Sequence, residues 1–181
     1  MKPILFILSG LPGSGKSTLS QYIAKKYKMV YLRVDTIEQG LRELCHLDVV
    51  DEGYELAYRI AGDHLKLRIP VLVDSCNPIL LTRKRWEKVA EDNDSILVNI
   101  EVSCSDRNEL RKRIETRVAD VENLKLPTWE EVENREFHPW ESERIRVDTA
   151  YKSIEESQKE LEEAVHRYLK QYVEVITPPV F

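Results

Sequence analysis

The segment Gly10-Leu11-Pro12-Gly13-Ser14-Gly15-Lys16-Ser17 constrains this chain more than any other. It contains the pattern G-x-x-x-x-G-K-[ST], which a chain of this length meets by chance roughly once in 100 to 300 cases. Its surroundings suit it. The apolar run over residues 3–9 predicts a strand buried on both faces. Residues 16–27 carry Leu19, Tyr22 and Ile23 at helical spacing. A strand, a glycine-rich turn and a helix start together make a cradle for an anion. The glycines let backbone N–H groups turn inward, and the helix aims its positive end at the same point. Lys16 can reach β- and γ-phosphates, and the Ser17 hydroxyl can bind Mg²⁺. Gly10, Pro12, Gly13, Ser14, Gly15, Lys16, Ser17 and Thr18 are therefore the candidate nucleotide-phosphate-binding residues.

The rest of the chain alternates strands and helices. Strands are expected over residues 30–34, 71–74, 96–102 and 145–148. Helices are expected over 35–47, 53–67, 80–90 and from 154 onward. Capping-box pairs at Asp106/Glu109, Thr128/Glu131 and Ser153/Glu156 mark three helix starts. The apolar stripe of the third helix is Tyr54, Ala57, Ile60, Ala61 and Leu65, with His64 packed beside it. That of the last helix is Ile154, Leu161, Val165 and Leu169. Pro178 and Pro179 exclude helix from the tail. About five strands and seven helices in alternation imply an α/β fold with a mostly parallel sheet and ligands outside the carboxyl ends of the strands.

Composition removes other classes. The 181 residues suit one domain with a real core, and the net charge of −5 is a poor match to a dedicated nucleic-acid binder. No run approaches the ~20 apolar residues of a membrane span. Cys45, Cys76 and Cys104 have no metal or disulfide spacing and read as thiols of a reducing, cytoplasmic setting. Trp86, Trp129 and Trp140 read as packing anchors, with substrate stacking as a second role for the last two.

Three further features bear on chemistry. Asp35 follows the second strand, where a carboxylate can take a proton from an attacking hydroxyl; it is equally placed to cap a helix, with Glu38 three residues on. Asp74 ends an apolar strand, as a metal-site carboxylate does, and the polar turn Ser75-Cys76-Asn77-Pro78 follows it. Arg113 and Arg117 share a helix face and could meet γ-phosphate charge, or could simply be solvated.

These residues resemble a known group. The motif through Thr18, Leu32-Arg33-Val34-Asp35-Thr36-Ile37-Glu38-Gln39, Val73-Asp74-Ser75-Cys76-Asn77-Pro78 with Thr82-Arg83, the Arg113/Arg117 pair, Leu126-Pro127-Thr128-Trp129 and Val147-Asp148-Thr149 look like the small P-loop kinases labelled "AAA family ATPase" or adenylylsulfate-kinase-like. That group is similar to chloramphenicol phosphotransferases, zeta toxins and polynucleotide 5′-hydroxyl kinases. The resemblance implies a three-layer α/β/α P-loop fold, nucleoside-kinase-like, with a helical lid over about 113–140 and a mobile loop over 120–127. It implies ATP and Mg²⁺ and a small-molecule hydroxyl acceptor, in a monomer or homodimer. It makes Lys16, Asp35, Arg113 and Arg117 catalytic, with Asp35 as base. Ser17 and Asp74 become metal-binding, and Asp35, Glu38, Asp74, Asn77 and Arg83 acceptor-binding. Polynucleotide kinases carry Arg where Glu38 stands. A carboxylate there argues against nucleic-acid ends and for a neutral or cationic acceptor. A regulatory nucleotide-binding module and a 5′-hydroxyl kinase are the competing readings.

Overall fold

In the computed structural model, which describes residues 2–174, five strands and seven helices alternate. The strands are β1 (Ile4–Ser9), β2 (Val30–Arg33), β3 (Val71–Asp74), β4 (Ile96–Ser103) and β5 (Ile145–Asp148). The helices are α1 (Lys16–Tyr27), α2 (Val34–Cys45), α3 (Glu52–Lys66), α4 (Leu80–Asp92), α5 (Arg107–Thr116), α6 (Trp129–Glu133) and α7 (Ile154–Glu174). The sheet order is β2-β3-β1-β4-β5 and every pairing is parallel. β1 lies in the middle, with Leu5 beside Val71 on one edge and Leu97 on the other.

Alternation along β1 explains the three layers. Phe6 and Leu8 face one core with Leu19 and Ile23 of α1 and Leu161 and Val165 of α7. Leu5 and Ile7 face the other with Ala57, Ala61 and Leu65 of α3 and Trp86 of α4. A central strand must be apolar on both faces when helices cover both, which is why residues 4–8 show no polar alternation. A third, smaller cluster joins Leu110 and Ile114 of α5 to Val132 of α6, with Trp129 at its margin.

Some expectations shift. The third helix buries Tyr58 and Gly62, while Ile60 is exposed and His64 is half-buried rather than core. Ile154 is also exposed, and Ser157 takes the buried place on α7. Asp35 is not a cap: α2 begins one residue earlier, at Val34, and has no side-chain cap. Full capping boxes form at Thr128/Glu131 and Ser153/Glu156. At Asp106 only half forms, because Glu109 turns to Arg113 and the Tyr151 N–H. The proline tail lies outside the described residues.

Candidate active site

Because all five strands run parallel, their carboxyl ends share one edge. There the turn after β1 meets the loops after β2 and β3 in a cavity of about 840 Å³. The turn is built as its glycines require. Gly13 and Gly15 have φ of +84° and +87°, in the left-handed region. A Cβ on Gly10 would stand 2.2 Å from the Val102 carbonyl, and one on Gly13 would stand 2.8 Å from Ile114 Cγ1. Of the amides from Gly13 to Thr18, only that of Ser14 finds a main-chain acceptor, Leu11 O. The others are free donors at the positive end of α1, which is what a phosphate chain needs. The turn is braced from both sides. The Gly10 N–H donates to Cys76 O at 3.2 Å, and Thr149 Oγ1 donates to Ser14 O at 2.9 Å.

Lys16 and Asp74 form the buried heart of the site. Lys16 Nζ donates to Asp74 Oδ1 at 2.9 Å, and Tyr31 Oη donates to Asp74 Oδ2 at 2.7 Å. Burial alone would lower the Lys16 ammonium, but Asp74 and then other negative groups outweigh it and hold it above its ordinary value. Burial alone would raise the Asp74 carboxyl, but Lys16 and the Tyr31 and Ser17 hydroxyls hold it below its ordinary value. Lys16 lines the cavity, whereas Asp74 lies behind it. Ser17 and Asp74 are thus adjacent. One hydroxyl and one carboxylate, completed by phosphate oxygens and water, fit the sparse protein ligation of Mg²⁺. Among the described residues there is no cluster of three or more His, Cys, Asp or Glu side chains that could cage a metal alone.

Asp35 lines the same cavity from the first turn of α2. Glu38 lines it one turn on, but its charge is not free. Arg42 Nη2 donates to Glu38 Oε2 at 3.1 Å, and the side chain lies against Gly53 of α3. Burial raises the Glu38 carboxyl, partly offset by Arg42.

Arg113 and Arg117 differ. Arg113 faces the cavity with its guanidinium already engaged, donating to Thr149 Oγ1 at 2.8 Å and to Thr149 O at 3.0 Å. Arg117 is half-buried on the cavity wall, and its Nε is buried without a partner. Burial lowers its basicity, with Asp35 opposing. A guanidinium whose Nε is unpartnered, lining the same cavity as Lys16, suits a phosphate oxygen.

Besides Asp74, two more expected acceptor residues do not line the cavity. Asn77 is buried with φ of +45°; its Nδ2 donates to Ser9 Oγ and its N–H to Tyr54 Oη, so it fastens the turn after β3. Arg83 is buried too. Its fork donates to the carbonyls of Asn77, Pro78, His138 and Pro139 and stacks on Trp140 with Cζ 4.0 Å from the ring centre. Trp129 packs beside Arg107 and Arg111 rather than against the cavity.

Other residues were not singled out from sequence. Arg33, at the end of β2, lines the cavity and makes a two-pronged contact with Asp120 at 2.7 and 2.8 Å. Asn123 Nδ2 donates to Glu43, and Gln39 donates to Asn123 O. These contacts lay residues 118–127 over α2. Cys76 and Arg135 also line the cavity, with Arg135 Nη1 3.6 Å from Cys76 Sγ. Position at the carboxyl end of a strand was the available signal for Arg33 and Cys76. Nothing local marks Arg135, which is 100 residues from Asp35 in sequence.

The fold has close counterparts. A gluconokinase from Sinorhizobium meliloti 1021 superposes with a TM-score of 0.69 at 18% identity, over 97% of this chain and 99% of that one. The Mycobacterium tuberculosis APS kinase CysC, solved with AMPPNP and APS, gives 0.65 at 17% identity, over 91% and 98%. No curated protein matches the sequence. Residues 5–139 match the family model described as an AAA domain. With the three-layer sheet, the glycine turn and Lys16 all inside or framing that span, the chain belongs to the AAA domain family and has the fold of the small P-loop kinases.

Proposed function

We propose that this protein is an ATP-dependent phosphotransferase that moves the γ-phosphate to a hydroxyl group of a small molecule. One observation carries the reading: Asp35 lines the same cavity as Lys16, Ser17 and Arg117. A phosphate cradle, a charge-stabilising arginine and a carboxylate thus share one space, which a simple nucleotide switch would not need. The likeness to gluconokinase and APS kinase folds points the same way. A cavity of about 840 Å³ suits a nucleotide with a small second substrate.

In this scheme the free amides of the Gly13 to Thr18 turn bind the phosphates, and Lys16 and Arg117 draw charge from the γ-phosphate oxygens. Ser17 and Asp74 would hold Mg²⁺, whose positive charge would offset that of the phosphates. Asp35 accepts the proton of the attacking hydroxyl. Arg113 holds Thr149, and through it the turn, in place.

Transfer of radiolabel from [γ-³²P]ATP to a broad set of hydroxylated metabolites tests the reading. Asp35→Asn is expected to lower kcat by about 10² to 10⁴ with little change in KM for ATP. Finding only slow, acceptor-independent hydrolysis that Asp35→Asn leaves unaltered would overturn it. Oligonucleotides with 5′-hydroxyl ends are expected to stay unlabelled.

A further inference from the structure

Outside the phosphate turn and the Arg113/Arg117 pair, the charged residues lining the cavity are Arg33, Arg42, Lys125 and Arg135 against Asp35, Glu38, Asp120 and Glu131. The count balances, but the pairing does not. Arg33 takes Asp120, and Arg42 takes Glu38. Glu131 accepts from the Thr128 N–H in its capping box. Asp35 lies 3.9 Å from Arg33 at its nearest nitrogen and is the proposed base. Arg135 and Lys125 are left with no carboxylate within ion-pair distance among the described residues. The one recorded side-chain contact of Arg135 is the Cys76 sulfur. Cys76, Lys16 and Asp35 line the same cavity as Arg135.

The guanidinium of Arg135 therefore lines the same cavity as the proposed base without a carboxylate partner, and Lys125 lines that cavity too. Glu38, whose charge seemed from sequence to repel an anion, is neutralised by Arg42 and turned toward α3. We propose that the acceptor is a hydroxylated anion, bearing a carboxylate or phosphate group, and that Arg135, with Lys125, binds that group while the hydroxyl meets Asp35. This rests on the phosphotransferase reading above and replaces the neutral or cationic acceptor expected from Glu38. A planar fork suits either oxyanion.

The test uses four pools of hydroxylated compounds: carboxylates, phosphate monoesters, neutral polyols and amino alcohols. Each is assayed for label transfer from [γ-³²P]ATP. Each is also assayed for a rise in the melting temperature of protein saturated with AMPPNP and Mg²⁺. Label is expected in one of the two anionic pools, which identifies the oxyanion. Arg135→Ala should raise the acceptor KM about 10- to 100-fold, and Arg135→Lys should restore part of it, while KM for ATP stays within about twofold. Transfer confined to the polyol or amino-alcohol pool overturns the proposal, as does an anionic acceptor whose KM ignores Arg135→Ala. If no pool is labelled but an anionic pool raises the melting temperature in an Arg135-dependent way, the kinase reading fails and the anion subsite stands. With neither label nor such a shift, both fail.

Discussion

Lys16 Nζ and Asp74 Oδ1 lie 2.9 Å apart, and both side chains are almost wholly withdrawn from solvent. The lysine that should serve ATP is therefore already half of a buried ion pair. Removing one partner of such a pair strands the other charge. Lys16→Met is expected to abolish transfer and to cost about 3 kcal/mol in urea unfolding, because Asp74 keeps only hydroxyl donors. Adding Asp74→Asn should recover about 1 to 2 kcal/mol of that loss while activity stays absent. A double mutant no more stable than Lys16→Met would show that the pair is not energetically coupled.

Tyr31 holds the other oxygen of the same carboxylate at 2.7 Å. Tyr31→Phe removes one hydrogen bond and no packing. It is expected to lower stability by about 1 kcal/mol. It should also raise the Mg²⁺ concentration needed for half-maximal transfer, since Asp74 loses a constraint on its orientation. An unchanged Mg²⁺ dependence would assign Tyr31 to folding alone.

Gly13 and Gly40 should respond in opposite senses to alanine. Gly13 has φ of +84° and Ile114 Cγ1 within 2.8 Å of a built Cβ. Gly13→Ala is expected to cost about 1 to 3 kcal/mol and to weaken AMPPNP binding. Gly40 sits inside α2 with open space around its Cβ. Gly40→Ala should stabilise by about 0.5 to 1 kcal/mol. Thermal melts with and without AMPPNP compare the two.

The Arg33–Asp120 contact gives the loop over residues 118–127 a defined acid limit. The Arg33 hydrogen bonds hold the Asp120 carboxyl below its ordinary 3.8. A depressed carboxyl contributes stability that is present above the unfolded value and is lost as pH falls through the folded one. The contact should therefore hold unchanged from neutral pH down to about 5 and fail below about 3.8. Amide exchange of residues 118–127, read against that of β1, checks it. Loss of protection between pH 8 and 6 would contradict it.

The three thiols should label in order of access. Cys45 is exposed, Cys76 is half-buried on the cavity wall, and Cys104 is buried. Burial pushes the Cys76 and Cys104 thiols up, away from the reactive thiolate. At pH 7.5 a thiol reagent is expected to modify Cys45 about tenfold faster than the others. AMPPNP should slow Cys76 further and leave Cys45 alone.

The layers and the cradle were legible because their signals are local. β3 and β5 fall on the residues expected, and the α2 and β2 boundaries differ by only one or two residues from expectation. The glycine turn, Lys16 and Asp35 declare themselves through spacing and strand ends. Side-chain direction was not legible. Asn77 sits in the polar turn at the functional edge and Arg83 in the first turn of α4, yet neither lines the cavity: both satisfy buried carbonyls and hydroxyls instead. Glu38 looked free because its partner Arg42 is one of many charges on an amphipathic helix. Arg135 became visible only when the chain returned to the end of β3.

The fork of Arg83 has a mechanical consequence. By binding the carbonyls of His138 and Pro139 as well as those of Asn77 and Pro78, it rivets the far end of the segment that follows α5 to the start of α4. The His138 N–H and ring add two more fixings, to Pro78 O and from the Leu80 N–H. The segment is thus tethered at both ends, by α5 and by this rivet. Arg135 is three residues from His138, so its backbone is held close to the rivet, whereas Asp120 lies near the α5 end and is held through Arg33. An acceptor bound by Arg135 would therefore be anchored from the α4 side of the cavity, at the opposite end of the segment from the contact that ties it to β2.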